Sequence, residues 1–424
     1  GGSIVSSLTL VSADAHCLEP EDLWTSRLSK PEWIARAPQT RRLPNNLKDM
    51  RFDGKRFNLS IDYRRYEDPG QMVDGVWQPS PQDSEYTAIA YDSLPGRIAD
   101  LNVDGVWAET IHPNNGQLIL GSDDADFAMA CAQIYNDYVA EQMVSHRSFP
   151  NAIIPVCDIE AAIREIDRIV GLGLRGIEIP MLAPPNAPYF LDLYAPLWAA
   201  AAANQLVVSM HVGSGQLREG NLLMGGLRSG APAANGLSEE EQARAGAFGK
   251  LSGSLTINAY LMTSVGGTMS ELLAAGVCER HPNLHFLFVE TGAAWLALLM
   301  QSLDASWEVG IGSREVVRES EVAKLGGSAL PPAAKWTQPL RPSEYVARQM
   351  HVTFMEDHQA LANRHISGTD ALVWGNDYPH YEGSWPKSRD AIQLMSTRAG
   401  LTAQEQAAIF GGTIAKLYGM NLPG

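Results

Sequence analysis

The side chains best suited to chemistry in this chain stand at the ends of short apolar runs. Residues 371–380, ALVWGNDYPH, are the clearest case: an apolar segment punctuated by Gly375 and Pro379 delivers Asp377, with Tyr378 and His380 close behind. A carboxylate and an imidazole there can hold a metal or move a proton. Strand carboxyl ends are also where parallel α/β folds keep their chemistry. The signature recurs. Residues 8–14 (LTLVSAD) run into Asp14-Ala15-His16, residues 205–211 (QLVVSMH) end on His211, and residues 284–290 (LHFLFVE) end on Glu290. Side chains two apart on an extended segment point the same way, so Asp14 and His16 can face one ion. A lone Asp-x-His fits a turn equally well; metal-type side chains on four strand ends do not reduce to that.

Imidazole with carboxylate suits Zn²⁺, Mn²⁺ or Fe²⁺, and no Cys-x-x-Cys pair points to a structural zinc site. Counting Glu19 and Glu290 with Asp14 and Asp377 gives four carboxylates, which favours harder ions or two ions bridged by carboxylate. The expected ligands are Asp14, His16, His211, Asp377 and Glu290, and the expected catalytic groups are Asp377, Glu290 and His380. His380 is also the best candidate for a second ion. Substrate contacts are expected from His112, Trp295 and Tyr378, while Glu356, Asp357 and His358 orient ligands. His146, His281, His285 and His365 read as structural or exposed, and Cys17 as packing.

Strands and helices must alternate to bring these ends together. Strands are expected at 8–14, 104–111, 152–157, 173–180, 205–211, 284–290, 351–356 and 371–377. Helices are expected at 97–103, 126–146, 159–170, 191–204, from about 270 to 281, and at 294–309, 388–397 and 402–418. About eight such units close a barrel. The prediction is a single α/β domain over 4–424, a distorted (β/α)8 TIM barrel with long insertions. Insertions at 21–96, 212–268 and 310–346 would form a lid or an interface, and Trp77, Tyr86, Tyr91 and Arg97 would close over the mouth.

Composition narrows the class. The chain is 45% hydrophobic and 19% charged, as globular proteins are, and its net charge of −16 argues against nucleic acid or an anionic membrane as partner. No apolar run reaches the roughly 18 residues of a membrane span. No basic region precedes an apolar core near the start, so no leader is expected. Gly1-Gly2-Ser3 read as a cloning remnant. Scattered cysteines fit free thiols in a reducing compartment, so the expected location is cytoplasmic.

Five segments give the chain a resemblance: DAHCLEP (14–20), PLWAAAAANQLVVSMHVGSG (196–215), ERHPNLHFLFVETGAAW (279–295), VTFMED (352–357) and WGNDYPHYEGSWPKS (374–388). Together they resemble the amidohydrolase-related family that includes aminocarboxymuconate-semialdehyde decarboxylase and its hydrolase and hydratase relatives. The resemblance implies a distorted TIM barrel, one catalytic divalent metal, usually zinc and sometimes manganese, and frequent homodimers. By position it makes His16, His211 and Asp377 ligands, with Asp14 where many members have the first His of His-x-His. Glu290 stands where many have a catalytic histidine. This carboxylate-rich pattern resembles divergent members with dinuclear iron or iron–manganese sites that activate O₂.

The expected function is a metal-dependent enzyme that hydrolyses or decarboxylates a small carboxylated or aromatic metabolite through a metal-activated water or carbonyl. One alternative is a dinuclear Fe or Fe/Mn oxygen-dependent hydroxylase; another is a non-catalytic partner subunit of a hetero-oligomer.

Overall fold

Eight short runs, almost entirely buried, form the strands that deliver the site. They are β1 (Leu10–Ser12), β2 (Val106–Pro113), β3 (Ser148–Ile153), β4 (Gly176–Glu178), β5 (Val207–His211), β6 (His285–Val289), β7 (Met350–Phe354) and β8 (Leu372–Trp374). The computed structural model describes residues 8–43, 47–61, 71–73, 76–78, 93–215, 264–308, 336–380 and 383–423. Each strand pairs in parallel with the next in chain order. Backbone bonds then join the last strand to the first: Ala13 N donates to Trp374 O (3.0 Å), Asp377 N to Asp14 O (2.8 Å) and His16 N to Tyr378 O (2.6 Å). With helices between the strands this is a (β/α)8 TIM barrel, as the alternation predicts.

Alternation of side chains along each strand divides the core in two. Outward residues such as Ile111, Ile177, Val208, Met210, Phe286, Phe288, Val352 and Phe354 pack under the helices. Inward residues Val11, Ala13, Ala108, Val207, Leu287, Val289 and Val373 form a second core. Ile414, Ala415 and Tyr418, from the C-terminal helix Thr413–Tyr418, complete it. That helix plugs the barrel at the end opposite the ligand side chains, and Tyr418 donates to Asn151 Oδ1 inside it (2.7 Å). Gly176 leaves room for this pair, since a Cβ there would lie 1.9 Å from Asn151 Oδ1.

Several boundaries differ from expectation. The third strand begins at Ser148 and ends at Ile153 instead of spanning 152–157, because its pairing to β2 uses Ser148, Phe149 and Pro150, a stretch whose apolar run is interrupted by Ser148, Pro150 and Asn151. The stretch 21–96, expected as an insertion with no strand or helix before 97, contains the helix Pro31–Arg36 and an antiparallel sheet of Gln39–Leu43, Leu47–Phe52 and Lys55–Ile61. Residues 264–268, assigned to an insertion, begin a helix that runs to 274, and 342–346 lie in the helix Pro342–Gln349. The final helix is broken: Ala403–Ala407 and Thr413–Tyr418 flank a wide turn at Ala408–Gly412. There Gly411 lets β1 approach, for a Cβ would sit 2.5 Å from Thr9 O. Tyr86, Tyr91 and residues 216–263 and 309–335, where much of the lid was expected, lie outside the described residues, as does the side chain of Trp77. Among the described residues no helix is long and apolar enough to cross a membrane.

At the plugged end, His351 on β7 faces His285 on β6. Burial lowers the His351 pKa from 6.5 to about 4. Its Nδ1 donates to Asp370 O (2.7 Å), leaving Nε2 to accept from His285 Nδ1 (3.0 Å). The unfolded chain takes up this proton first, so the pair's contribution is complete above pH 6.5 and is lost as pH falls towards about 4. His351→Leu should therefore flatten the fall of unfolding free energy across that window by roughly 2–3 kcal/mol in urea titrations. An unchanged slope would mean that His351 is not held neutral.

Candidate metal centre

Four side chains from three strand ends converge at the barrel mouth. Asp14 and His16 follow β1, His211 ends β5, and Asp377 follows β8. His16 Nε2 lies 3.2 Å from Asp377 Oδ1, 3.6 Å from Asp14 Oδ1 and 3.2 Å from His211 Nε2. His211 Nε2 lies 3.9 Å from Asp14 Oδ1. All four residues are buried. The close approach of β8 to β1 depends on Gly375, where a Cβ would lie 2.3 Å from the Asp14 Cβ.

Tautomers follow from the other ring nitrogens. His16 Nδ1 donates to Pro113 O (3.2 Å) and His211 Nδ1 to Val212 O (2.9 Å), so both Nε2 lone pairs face the same point. Asp14 Oδ1 and Asp377 Oδ2 are buried and accept no hydrogen bond. Two lone pairs and two carboxylates around one point fit a divalent cation, and Asp14, His16 and His211 present atoms within 4.8 Å of one another.

Without a cation the groups oppose each other. Burial and the Asp377 carboxylate push Asp14 from 3.8 up to about 8. Burial alone would also raise Asp377, but His380 and His16 hold it well below the usual carboxylate range. Burial takes His16 down to about 4 and His211 well below its ordinary value.

The other expected residues separate into two groups. His380 belongs to the site: Nδ1 lies 2.9 Å from Asp377 Oδ1, Nε2 lies 3.1 Å from Asn114 Oδ1, and its ring stacks on His16 at 4.1 Å. Glu290 reaches the rim, 30% exposed, with Oε2 3.6 Å from His211 Nε2. Glu290 and Asp377 both have left-handed backbone, φ 58° and 55°, a strain that functional sites often hold.

Tyr378 and His112 correct the expectation of substrate contact. Tyr378 is 2% exposed and its hydroxyl donates to Asp100 Oδ2 (2.5 Å). His112 is fully buried inside the barrel, with Nδ1 on Glu178 Oε2 (2.9 Å) and Nε2 on Ala13 O (3.1 Å). Burial opposes its charge, but Glu178 outweighs that and raises the pKa. Trp295 is partly buried and donates to Thr291 O and Gly292 O (both 3.0 Å).

Glu19 is not a ligand, since its carboxylate accepts from the backbone of Asn114, Asn115 and Gly116 (2.9, 3.0 and 2.9 Å). Arg97 does not close over the mouth: it is fully buried in a fork on Glu109 (2.7 and 2.8 Å). Asp357 holds the turn after β6 through the backbone of Ala293 and Ala294 (2.9 and 2.8 Å), a supporting role.

Sequence reasoning missed Thr353, which accepts from Glu290 N (2.8 Å) and lies 3.4 Å from Asp14 Oδ2. It also missed Asn376, which accepts from Ser12 Oγ (2.8 Å) and braces the turn before Asp377. The only available signal was a polar residue inside a run otherwise reading as buried strand.

Fold and site together describe a barrel with a cluster of side chains able to hold a metal ion at its strand carboxyl ends. Residues 117–420 match the family model described as amidohydrolase. The chain belongs to that family, and it is a metal-dependent enzyme of the amidohydrolase superfamily. Solved structures share the fold at low identity. An amidohydrolase from Mycobacterium avium subsp. paratuberculosis K-10 is 16% identical with TM-score 0.70, covering 97% of this chain and 99% of that one. A 5-carboxyvanillate decarboxylase from Sphingomonas paucimobilis is 17% identical with TM-score 0.57, covering 98% and 100%. A dihydroxybenzoic acid decarboxylase from Polaromonas sp. JS666, solved with manganese and an inhibitor, is 15% identical with TM-score 0.57, covering 98% of each. No match was found among curated proteins.

Because Asp14 is raised from 3.8 to about 8, the metal-free protein should lose stability as pH rises through that window. Asp14→Asn should raise the melting temperature of metal-free protein at pH 7 and abolish the further rise that added Mn²⁺ or Zn²⁺ produces. Thermal denaturation with and without metal reads both. A variant that melts lower than wild type when metal-free would show that the two carboxylates do not repel.

Proposed function

We propose that the chain uses one divalent ion, Zn²⁺ or Mn²⁺, to hydrolyse or decarboxylate a small aromatic or carboxylated metabolite at the barrel mouth. The observation carrying this reading is the pair of unprotonated Nε2 atoms of His16 and His211, 3.2 Å apart, facing Asp14 and Asp377. When bound, the ion supplies Lewis acidity, polarising a carbonyl or lowering the pKa of water towards about 7. His16 and His211 hold it through Nε2, and the Asp14 and Asp377 carboxylates balance its charge.

Asp377 is the proton-handling group. Its Oδ1 lies 3.2 Å from His16 Nε2 and 2.9 Å from His380 Nδ1, and both carboxylate oxygens are buried without a hydrogen-bond partner. In hydrolysis Asp377 takes a proton from the attacking water and passes it to the leaving group; in decarboxylation the ionised carboxylate first takes up a proton from solvent and passes it to the carbon that loses CO₂. His380 orients that carboxylate, and Glu290, at the rim, positions the substrate. Decarboxylation of aromatic acids by two proteins of the same fold supports the substrate class, and manganese in one of them supports the ion.

The dinuclear, oxygen-dependent reading draws on His380 and Glu290. The two ligand groups, Asp14–His16–His211 and His16–Asp377–His380, share His16, whose Nδ1 is committed to Pro113. A single Nε2 serves a single ion, which favours one centre.

Protein purified without chelator should carry about one zinc or manganese per chain, and Asp377→Asn should lower turnover ~10²–10⁴-fold with the fold intact by circular dichroism. The assay panel pairs aromatic carboxylates with neutral esters and amides. About two iron atoms per chain would move the assignment to the dinuclear reading. Wild-type rates from Asp377→Asn would remove it as proton carrier.

A further inference from the structure

We propose that the helix Leu94–Asp104 is a charged clasp that fixes the two metal-holding segments relative to each other, with Arg97, Asp100 and Asp104 as positioning residues. The inference rests on the metal-centre reading above and assigns it a control layer outside the barrel.

The three residues fall at i, i+3 and i+7, one face of the helix, and all are buried. Each reaches a ligand's own backbone or a neighbour of a ligand. Arg97 forks onto Glu109 of β2 and uses Nη1 to donate to the carbonyl of His16 (2.7 Å). Its guanidinium also stands over the Tyr378 ring, 5.1 Å from the centroid. Asp100 accepts from the Tyr378 hydroxyl (2.5 Å), and its backbone carbonyl accepts from Trp385 Nε1 (3.1 Å). Asp104 accepts from Asn376 Nδ2 (3.1 Å) and from both the backbone and hydroxyl of Ser388 (2.8 and 2.5 Å). One side of the clasp thus holds His16; the other holds residues 376 and 378, on either side of Asp377.

Stability alone does not call for this arrangement. Buried charges cost several kcal/mol in desolvation, and well-packed apolar residues often serve a fold as well or better. What an apolar face cannot do is fix a carbonyl and two turn side chains by direction. A metal site needs that, because donor positions must hold to about 0.2 Å and losing an outer partner typically costs 10–100-fold in affinity. His16 and Asp377 come from opposite ends of the chain and touch directly at 3.2 Å. The helix is a third body bonded to both segments.

The test uses the full chain, stripped of metal and reloaded with Co²⁺, whose visible ligand-field bands report coordination geometry. Tyr378→Phe keeps the ring beside Arg97 but removes the bond to Asp100; Arg97→Lys keeps the charge but loses the fork. Arg364→Lys, at the remote fork of Arg364 on Glu405, is the control for a merely structural arginine. Tyr378→Phe and Arg97→Lys should weaken Co²⁺ about 10–100-fold in chelator competition and shift its bands, whereas the control changes neither. Tyr378→Phe decides the matter if Arg97→Lys fails to fold. Wild-type affinity and spectrum in the clasp variants would overturn the clasp and leave the metal centre standing. A wild-type chain that binds no Co²⁺ would overturn the metal reading and the clasp with it.

Discussion

Two imidazole nitrogens that face each other with their lone pairs outward, beside two buried carboxylates, cannot be satisfied by the protein alone. A proton placed between His16 and His211 serves one pair of atoms and leaves Asp14 Oδ1 and Asp377 Oδ2 without partners. The tautomers are not free to change, since each Nδ1 is held by a backbone carbonyl. A single divalent cation satisfies all four groups at once. The rest of the barrel can be understood as what keeps these groups together despite their mutual opposition.

Closure of the sheet is the first part of that restraint. The bonds joining β8 to β1 are made by Ala13, Asp14, His16, Trp374, Asp377 and Tyr378, so the strand pairing and the metal site are built from the same residues. Gly375 permits the approach, and the plug of Ile414, Ala415 and Tyr418 fills the opposite end so that the ring does not collapse inward. A site made this way is rigid because displacing a ligand means opening the barrel. Left-handed backbone at Glu290 and Asp377 fits the same account: strain is tolerated where the surrounding hydrogen bonds leave no alternative.

Much of this could be read from the chain alone because it depends on residue type at strand ends. Asp14, His16, His211 and Asp377 each follow an apolar run, and in a parallel barrel all such positions share one mouth. What could not be read depends on burial that only the tertiary fold decides. Arg97, Asp100 and Asp104 look like the polar face of a surface helix, yet the structure turns that face inward. Glu19 has the type of a ligand and the position of one, but three backbone amides reach it first. The strand Lys55–Ile61, KRFNLSI, alternates as a strand should, and a Pro-, Arg- and Tyr-rich surrounding concealed it. The break in the last helix was marked by Gly411-Gly412, a pair that a helix-period reading passes over.

Glu290 is where the chemistry of this chain departs furthest from a histidine-rich barrel mouth. Asp14 and Asp377 already match a divalent charge, so an ionised Glu290 adds an excess negative charge at the rim, beside His211. An incoming carboxylate some 4 Å away would meet about 4 kcal/mol of repulsion at an effective dielectric of 20, less where water screens it. Glu290 is partly exposed, so screening is substantial and the penalty shrinks without vanishing. His112 cannot offset it, because Glu178 already answers its charge. His380 cannot offset it either, because its Nδ1 lies 2.9 Å from Asp377 Oδ1 and its Nε2 3.1 Å from Asn114 Oδ1. A carboxylated substrate would therefore depend on a bound cation to receive its charge, with its ring or carbonyl towards Glu290, and a neutral carbonyl substrate would bind without that constraint.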